Sequence, residues 1–438
     1  MKSIKYGVLT TIILLFSMEF SVQANFFQDE TPDAGNCAIT IDGQKWHISG
    51  GTGGITTNLP GTPVDFDVVE QDITASFVNV QGNLMPDFGS DPTAILIADD
   101  FTGESPESVF SEAEDDKSLD KHNVSHGEMV YQHVERLVKG VLIDILKDRL
   151  LLIEPENQIG LEETVFRTLP SIHIVKVDTQ NYNTQKITDN LSAVIDKLKA
   201  EGIHRFAINY SFVIFPCNIV NDFLTSYNDR HVTSFQDYID NLMKSGQIQN
   251  FEKWLQDQID LVNQSNDPLL AFMTNLTEGR DKGVESIVFV ASSGNYGKAD
   301  DQSLGVSFPL LPGGWNQVIA VSGLEGDDIS ARSRKPWLYA NPGEIVAPAA
   351  WYPYLTPDDI PTKVYYAGTS FAAPVITVVA AFHLSATNIV CPLDRMPTPL
   401  LNYDKYQSLK DIPTINELVL GRRLILGGVQ GKRYCPPF

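Results

Sequence analysis

Ser370 stands in the string Gly368-Thr369-Ser370-Phe371-Ala372-Ala373-Pro374, where a tight Gly-Thr turn runs into small and apolar residues. That placement suits a nucleophile. The turn exposes the hydroxyl, and a helix start offers its positive dipole end to charge developing on an attacked carbonyl. Small residues let the helix seat closely on what lies beneath it. A serine nucleophile needs a base, ordinarily histidine, and the chain has eight: His47, His122, His126, His133, His173, His204, His231 and His383. The base in turn needs a carboxylate that fixes its tautomer, expected where a strand ends at its C-terminal edge.

The string around Ser370 resembles the nucleophile motif of the subtilase family, Gly-Thr-Ser followed by small residues and proline. Other segments match that family in the order Asp, His, Ser, which is the order of subtilisin and not of chymotrypsin or the α/β-hydrolases. The run Ile95-Leu96-Ile97-Ala98-Asp99-Asp100 resembles the strand that carries the triad acid, and the resemblance implies Asp99 in that role, with Asp100 as the alternative. Ser125-His126-Gly127-Glu128-Met129-Val130 resembles the His-Gly-x-x-Val motif and implies His126 as the base; Met129 departs from the second histidine often found there. Ser293-Gly294-Asn295-Tyr296-Gly297 resembles the turn that carries the oxyanion asparagine, implying that Asn295 donates to the tetrahedral intermediate. Substrate binding is implied for Ser211, Phe212 and Val213, an edge onto which an extended peptide adds as a strand, and for Ser292, Ser293 and Gly294 opposite it. Val213 stands where the family usually has glycine. The implied activity is a serine endopeptidase that needs no cofactor for its chemistry. A catalytically silent scaffold and an esterase are the alternatives.

These residues need a frame. From about residue 93, apolar runs alternate with helical periodicity. Ala94–Ala98, Ile172–Val177, Arg205–Ser211, Ile287–Ala291 and Val318–Val321 read as strands, and Ile345-Val346 starts another. His126–Lys139, Ile187–Leu198 and Phe371–Phe382 read as helices. The alternation predicts an α/β fold, a doubly wound, subtilisin-like parallel sheet with helices on both faces. A long helical insertion interrupts it at about 214–284, with Phe251, Trp254, Leu255, Ile259 and Val262 on one stripe. That stripe is read as packing on the domain, with a rim element shaping substrate access as the alternative. The peptidase domain is drawn at 91–390, with a C-terminal extension at 391–438. Residues 25–90, rich in Gly, Pro, Asp and Asn, are expected to form an irregular N-terminal arm or short pro-segment.

Lys2 and Lys5, an apolar run over 7–20 and Val22-Gln23-Ala24 read as a signal peptide, 1–24, too short for a comfortable membrane span. The protein is expected to be secreted, to the medium or the periplasm, and free of the membrane once the signal is cleaved. The formal charge is −23. Lys2, Lys5 and Glu19 leave +1 on residues 1–24, so the remainder carries −24. Such a surface disfavours nucleic acid. Partners are therefore expected to be protein or peptide substrates, with the chain itself a monomer. Structural calcium is a candidate for the acidic stretch Glu104–Asp120, although it lacks EF-hand spacing. The four cysteines, Cys37, Cys217, Cys391 and Cys435, form no C-x-x-C pair. In an exported chain they point to two disulfides, with Cys391–Cys435 and Cys37–Cys217 the preferred of three connectivities.

Overall fold

Alternating residues of the central strands sort the core into two layers. Ile95, Ile97, Ala207, Val288 and Val290 point into one, and Ala94, Leu96, Ala98, Phe206, Ile208, Ile287 and Phe289 into the other. Strands that are apolar on both sides need cover on both faces, and helices supply it. The computed structural model describes residues 38–39, 54–56, 63–78, 91–99, 101, 126–151, 169–179, 183–214, 226, 229, 231, 235–264, 267–278, 281, 283–297, 306–326, 337, 339–355 and 361–385. The signal peptide, the acidic stretch, Asp100, all four cysteines, Val262 as a side chain and the C-terminal extension lie outside these residues.

In chain order the strands are β1 (Ala38–Ile39), β2 (Gly54–Thr56), β3 (Thr93–Asp99), β4 (Ile172–Asp178), β5 (Arg205–Tyr210), β6 (Val213–Ile214), β7 (Ser286–Ser292), β8 (Val318–Glu325), β9 (Ile345–Leu355) and β10 (Pro361–Ala367). The helices are α1 (Phe66–Val78), α2 (His126–Leu151), α3 (Thr184–Ala200), α4 (Phe235–Lys244), α5 (Phe251–Gln264), α6 (Pro268–Thr277) and α7 (Thr369–Ser385). Among the described residues the main sheet has the order β2-β10-β9-β8-β7-β5-β3-β4. From β9 to β4 every neighbouring pair is parallel. β10 runs antiparallel to both β9 and β2, so the expected parallel sheet carries a mixed edge.

α7 is buried all round and lies across β5, β7, β8 and β9. A helix apolar on every side belongs in an interior, and this one brings the nucleophile string under the C-terminal ends of the strands. α1 and α2 share its layer, while α3, α5 and α6 cover the opposite face. In the insertion, Phe251, Leu255 and Ile259 are buried in that second layer, so the stripe packs on the domain.

The arm is less irregular than its composition predicts. Phe66, Val69 and Ile73 have helical spacing and are buried, and the Asp65 carboxylate accepts from the Asp67 N–H at 3.0 Å, capping α1. Pro60, Pro63 and the surrounding glycines mask this short periodicity in the sequence. β2 joins the main sheet beside β10, so this stretch of the arm too is built into the fold.

Candidate active site

β3 ends on Asp99, whose side chain is completely buried. α2 starts on His126, and its Nδ1 lies 2.9 Å from Asp99 Oδ1 and 3.0 Å from Oδ2. A carboxylate in that place makes Nδ1 the protonated nitrogen and leaves Nε2 as the base. The His126 ring meets that of Phe371, the residue after Ser370, with centroids 5.8 Å apart. His133, one face of α2 further on, packs edge-on to Tyr352 at 4.4 Å, and burial pushes its imidazole down to about 3. It stays neutral and packs.

Ser370 opens α7 and, unlike the exposed hydroxyl that the Gly-Thr turn predicts, is fully buried, because the turn packs on the Asn295 loop; its Oγ has no hydrogen-bond partner among the described residues. The proline of the string explains how its backbone is held. Pro374 lacks the N–H that would bond the carbonyl four residues back, which is that of Ser370. That carbonyl accepts instead from Ser211 Oγ at 2.7 Å. Ser211 in turn accepts from Asn209 Nδ2 at 2.8 Å, and Asn209 Oδ1 accepts from Thr377 Oγ1 at 3.1 Å. The Ser211 hydroxyl therefore lies beneath the nucleophile, as a prop for the helix start. Asn209, which heads an Asn-Tyr-Ser sequon, is fully buried in this network and is closed to a glycan.

Asn295 reaches the same helix start. Its Oδ1 accepts from the Thr369 N–H at 3.0 Å and from Thr369 Oγ1 at 2.9 Å, and Thr369 Oγ1 accepts from the Gly294 N–H at 3.2 Å. With the amide oxygen so committed, the NH2 faces the other way. A Cβ placed on Gly368 would lie 3.5 Å from Asn295 Nδ2 and 3.7 Å from Ser370 Oγ. Asn295 Nδ2 and Ser370 Oγ thus border one common space, which a glycine at 368 keeps open.

The expected substrate walls adjoin each other. Ser292 Oγ donates to the Phe212 carbonyl at 3.3 Å, Ser293 Oγ donates to the Asn341 carbonyl at 2.8 Å, and Gly294 has a φ of +107°. Phe212 is buried against Tyr210. Val213 and Ile214 form β6, and the edge expected to take a peptide carries a strand of the chain itself: β1 pairs antiparallel with it, Ile39 opposite Val213 and Ala38 opposite Ile214. The sequence gives no sign of this pairing, nor of Asn341, which lies in an ordinary-looking Ala-Asn-Pro-Gly turn and bonds to several residues of the Asn295 loop.

A carboxylate-bound imidazole, a serine at a helix start and an amide donor facing that serine are the parts of nucleophilic acyl transfer. Comparison with known proteins supplies the class. The family model described as the subtilase family matches residues 168–397. No curated protein sequence matches the chain. Similar solved structures include the prenylagaramide maturation protease PagA, 15% identical over 72% of this chain and 79% of that one, with a TM-score of 0.30. A cold-adapted subtilisin-like serine proteinase is 11% identical over 74% and 85%, with a TM-score of 0.30. The epidermin leader peptide processing serine protease of Staphylococcus aureus is 11% identical over 68% and 67%, with a TM-score of 0.30. The chain belongs to the subtilase family and is a serine protease.

Proposed function

We propose that the protein is a secreted subtilisin-type endopeptidase in which Ser370 attacks the peptide carbonyl and His126 takes its proton. Asp99 holds His126 and stabilises the imidazolium. Asn295 Nδ2 and the Ser370 N–H stabilise the oxyanion, and His126 then protonates the leaving amine before water repeats the cycle. Side chains and water suffice, so the chemistry requires no cofactor. The observation that carries this reading is the buried Asp99 carboxylate on His126 Nδ1, at 2.9 and 3.0 Å, with the His126 ring against the residue that follows Ser370.

The substrate adds as an extended strand at Val213–Ile214. Supporting this is the chain's own use of that edge: β1 lies there antiparallel, as a peptide would. Residues around 38–39 then act as a pro-segment that occupies the cleft until it is displaced. α1 belongs to the permanent fold, because Phe66, Val69 and Ile73 are buried in its core.

The test is hydrolysis of labelled casein by the exported protein, with Ser370→Ala and His126→Ala beside it, before and after proteolytic trimming of the chain ahead of residue 50. Cleavage that appears or rises on trimming and is lost in both variants is the expected result. A folded, trimmed wild type that cleaves nothing would leave a silent subtilase scaffold.

A further inference from the structure

Asn295 can donate to an oxyanion only if its loop is fixed, and the groups that fix it converge on one residue, through its backbone and its side chain, outside both the triad and the expected substrate walls. Asn341 is fully buried between β8 and β9. Its Oδ1 accepts from the Tyr296 N–H at 2.7 Å. Its own N–H donates to the Gly294 carbonyl at 2.9 Å, and its carbonyl accepts from Ser293 Oγ at 2.8 Å and Ser322 Oγ at 2.6 Å. Asn341 thus grips residues 293, 294 and 296, on both sides of Asn295. A Cβ added at Gly294 would lie 3.3 Å from its Oδ1, so the turn is seated directly on this amide.

The other end of the side chain reaches a second loop. Asn341 Nδ2 donates to the Phe308 carbonyl at 2.8 Å. That loop returns to the Asn295 turn, where the Leu310 N–H donates to the Ser293 carbonyl at 2.9 Å and the Val306 N–H to the Tyr296 carbonyl at 2.8 Å. The helical insertion pins it from outside. Glu252 Oε1 accepts from the Ser307 N–H at 2.8 Å, and Trp315 Nε1 donates to Asn263 Oδ1 at 2.8 Å. An amide is the group that can do both jobs: its oxygen takes a backbone N–H and its nitrogen gives to a backbone carbonyl, where aspartate would supply an acceptor alone.

We propose that Asn341 is the positioning residue of the oxyanion donor, holding the Ser293–Tyr296 turn against the loop at 306–315 so that Asn295 Nδ2 faces Ser370. The role rests on the reading of Asn295 as that donor. A donor turned or shifted by a fraction of an ångström still lets substrate bind but stabilises the transition state less, so the loss falls on kcat and not on KM.

The experiment is a double-mutant cycle on the trimmed enzyme. Asn341→Ala removes both side-chain bonds, and Asn341→Asp keeps the acceptor for the Tyr296 N–H. Each is combined with Asn295→Ala, and turnover is measured per serine titrated by a fluorophosphonate, which counts only folded, reactive sites. Asn341→Ala is expected to lower kcat about 10- to 100-fold with KM within about threefold, and Asn341→Asp to lower it less. In the Asn295→Ala background both effects should nearly vanish, because the residue has nothing left to position. A kcat per titrated serine that is unchanged in both variants would make Asn341 a stability residue and overturn the proposal. So would losses that persist in full without Asn295. Should Asn341→Ala not fold, the same comparison with Asn341→Asp decides. If Asn295→Ala itself leaves kcat unchanged, the oxyanion reading fails and the positioning role falls with it, an outcome distinct from the other two.

Discussion

The two sides of the nucleophile are held in opposite ways. On the base side, Asp99 meets His126 Nδ1 through both carboxylate oxygens, at the junction of β3 and α2. On the oxyanion side, Asn295 sits in a mesh through Thr369, Gly294, Ser293, Tyr296 and Asn341, continued beneath Ser370 by Ser211, Asn209 and Thr377. The difference follows from the chemistry. An imidazole needs the correct tautomer and direction, which one carboxylate can impose. A donor aimed at a charge present only in the transition state must be placed in advance to a fraction of an ångström, and one contact does not do that. The base side should therefore fail through one residue, and the oxyanion side by degrees.

Asp99→Asn gives the sharpest form of this contrast. The amide fits the same space but favours the wrong tautomer of His126, and kcat should fall by about four orders of magnitude while the fold, followed by circular dichroism, persists. A loss under about tenfold would mean that the base is oriented by other groups, Asp100 among them. Asn295→Ala should cost about 100- to 1000-fold in kcat, with little change in KM. Ser211→Ala takes away the hydroxyl that donates to the Ser370 carbonyl. It should cost about 2 kcal/mol of stability, from a buried acceptor left unpaired, and less than about tenfold in kcat. A larger rate loss than that of Asn295→Ala would break the picture of a graded mesh.

The smallest effect is expected far from the chemistry, where α1 meets α2. Glu70 is buried there beside Arg136, with Gly140 beneath its carboxyl. Burial pushes the carboxyl up to about 7, against the opposing pull of Arg136. The folded state then binds a proton more readily than the unfolded chain, whose glutamate titrates near 4.5. This group's contribution to stability is complete below about 4.5 and is lost as pH rises through about 7. Glu70→Gln mimics the protonated form. Its Tm should move upward relative to wild type between pH 4.5 and pH 7.5, without a change in kcat. A gap in Tm that does not vary with pH would contradict this.

The sequence makes the proposed site more legible than its supports. Asp99, His126, Asn295 and Ser370 can be picked out because each sits in a short local motif, next to a strand or helix whose periodicity is strong. The central strands and α7 are legible for the same reason. Asn341 is not, because its importance lies in partners from residue 293 to residue 322, and nothing about an asparagine before Pro-Gly points to them. Ser211 shows an intermediate case. Its segment can be read, but the direction of its hydroxyl depends on the missing N–H of Pro374, 163 residues further along the numbering. α1 is hidden by the prolines and glycines that flank it, and β10 by its antiparallel return at an edge where parallel alternation gives no guide.

The central claim is that Ser370 is the activated nucleophile of a working site. It is tested most directly by treating the trimmed protein with a fluorophosphonate and mapping the adduct by peptide mass spectrometry. The account predicts one modified serine, Ser370, with labelling slowed by orders of magnitude in His126→Ala. An adduct on another serine, or a folded protein that takes up no label, would contradict it.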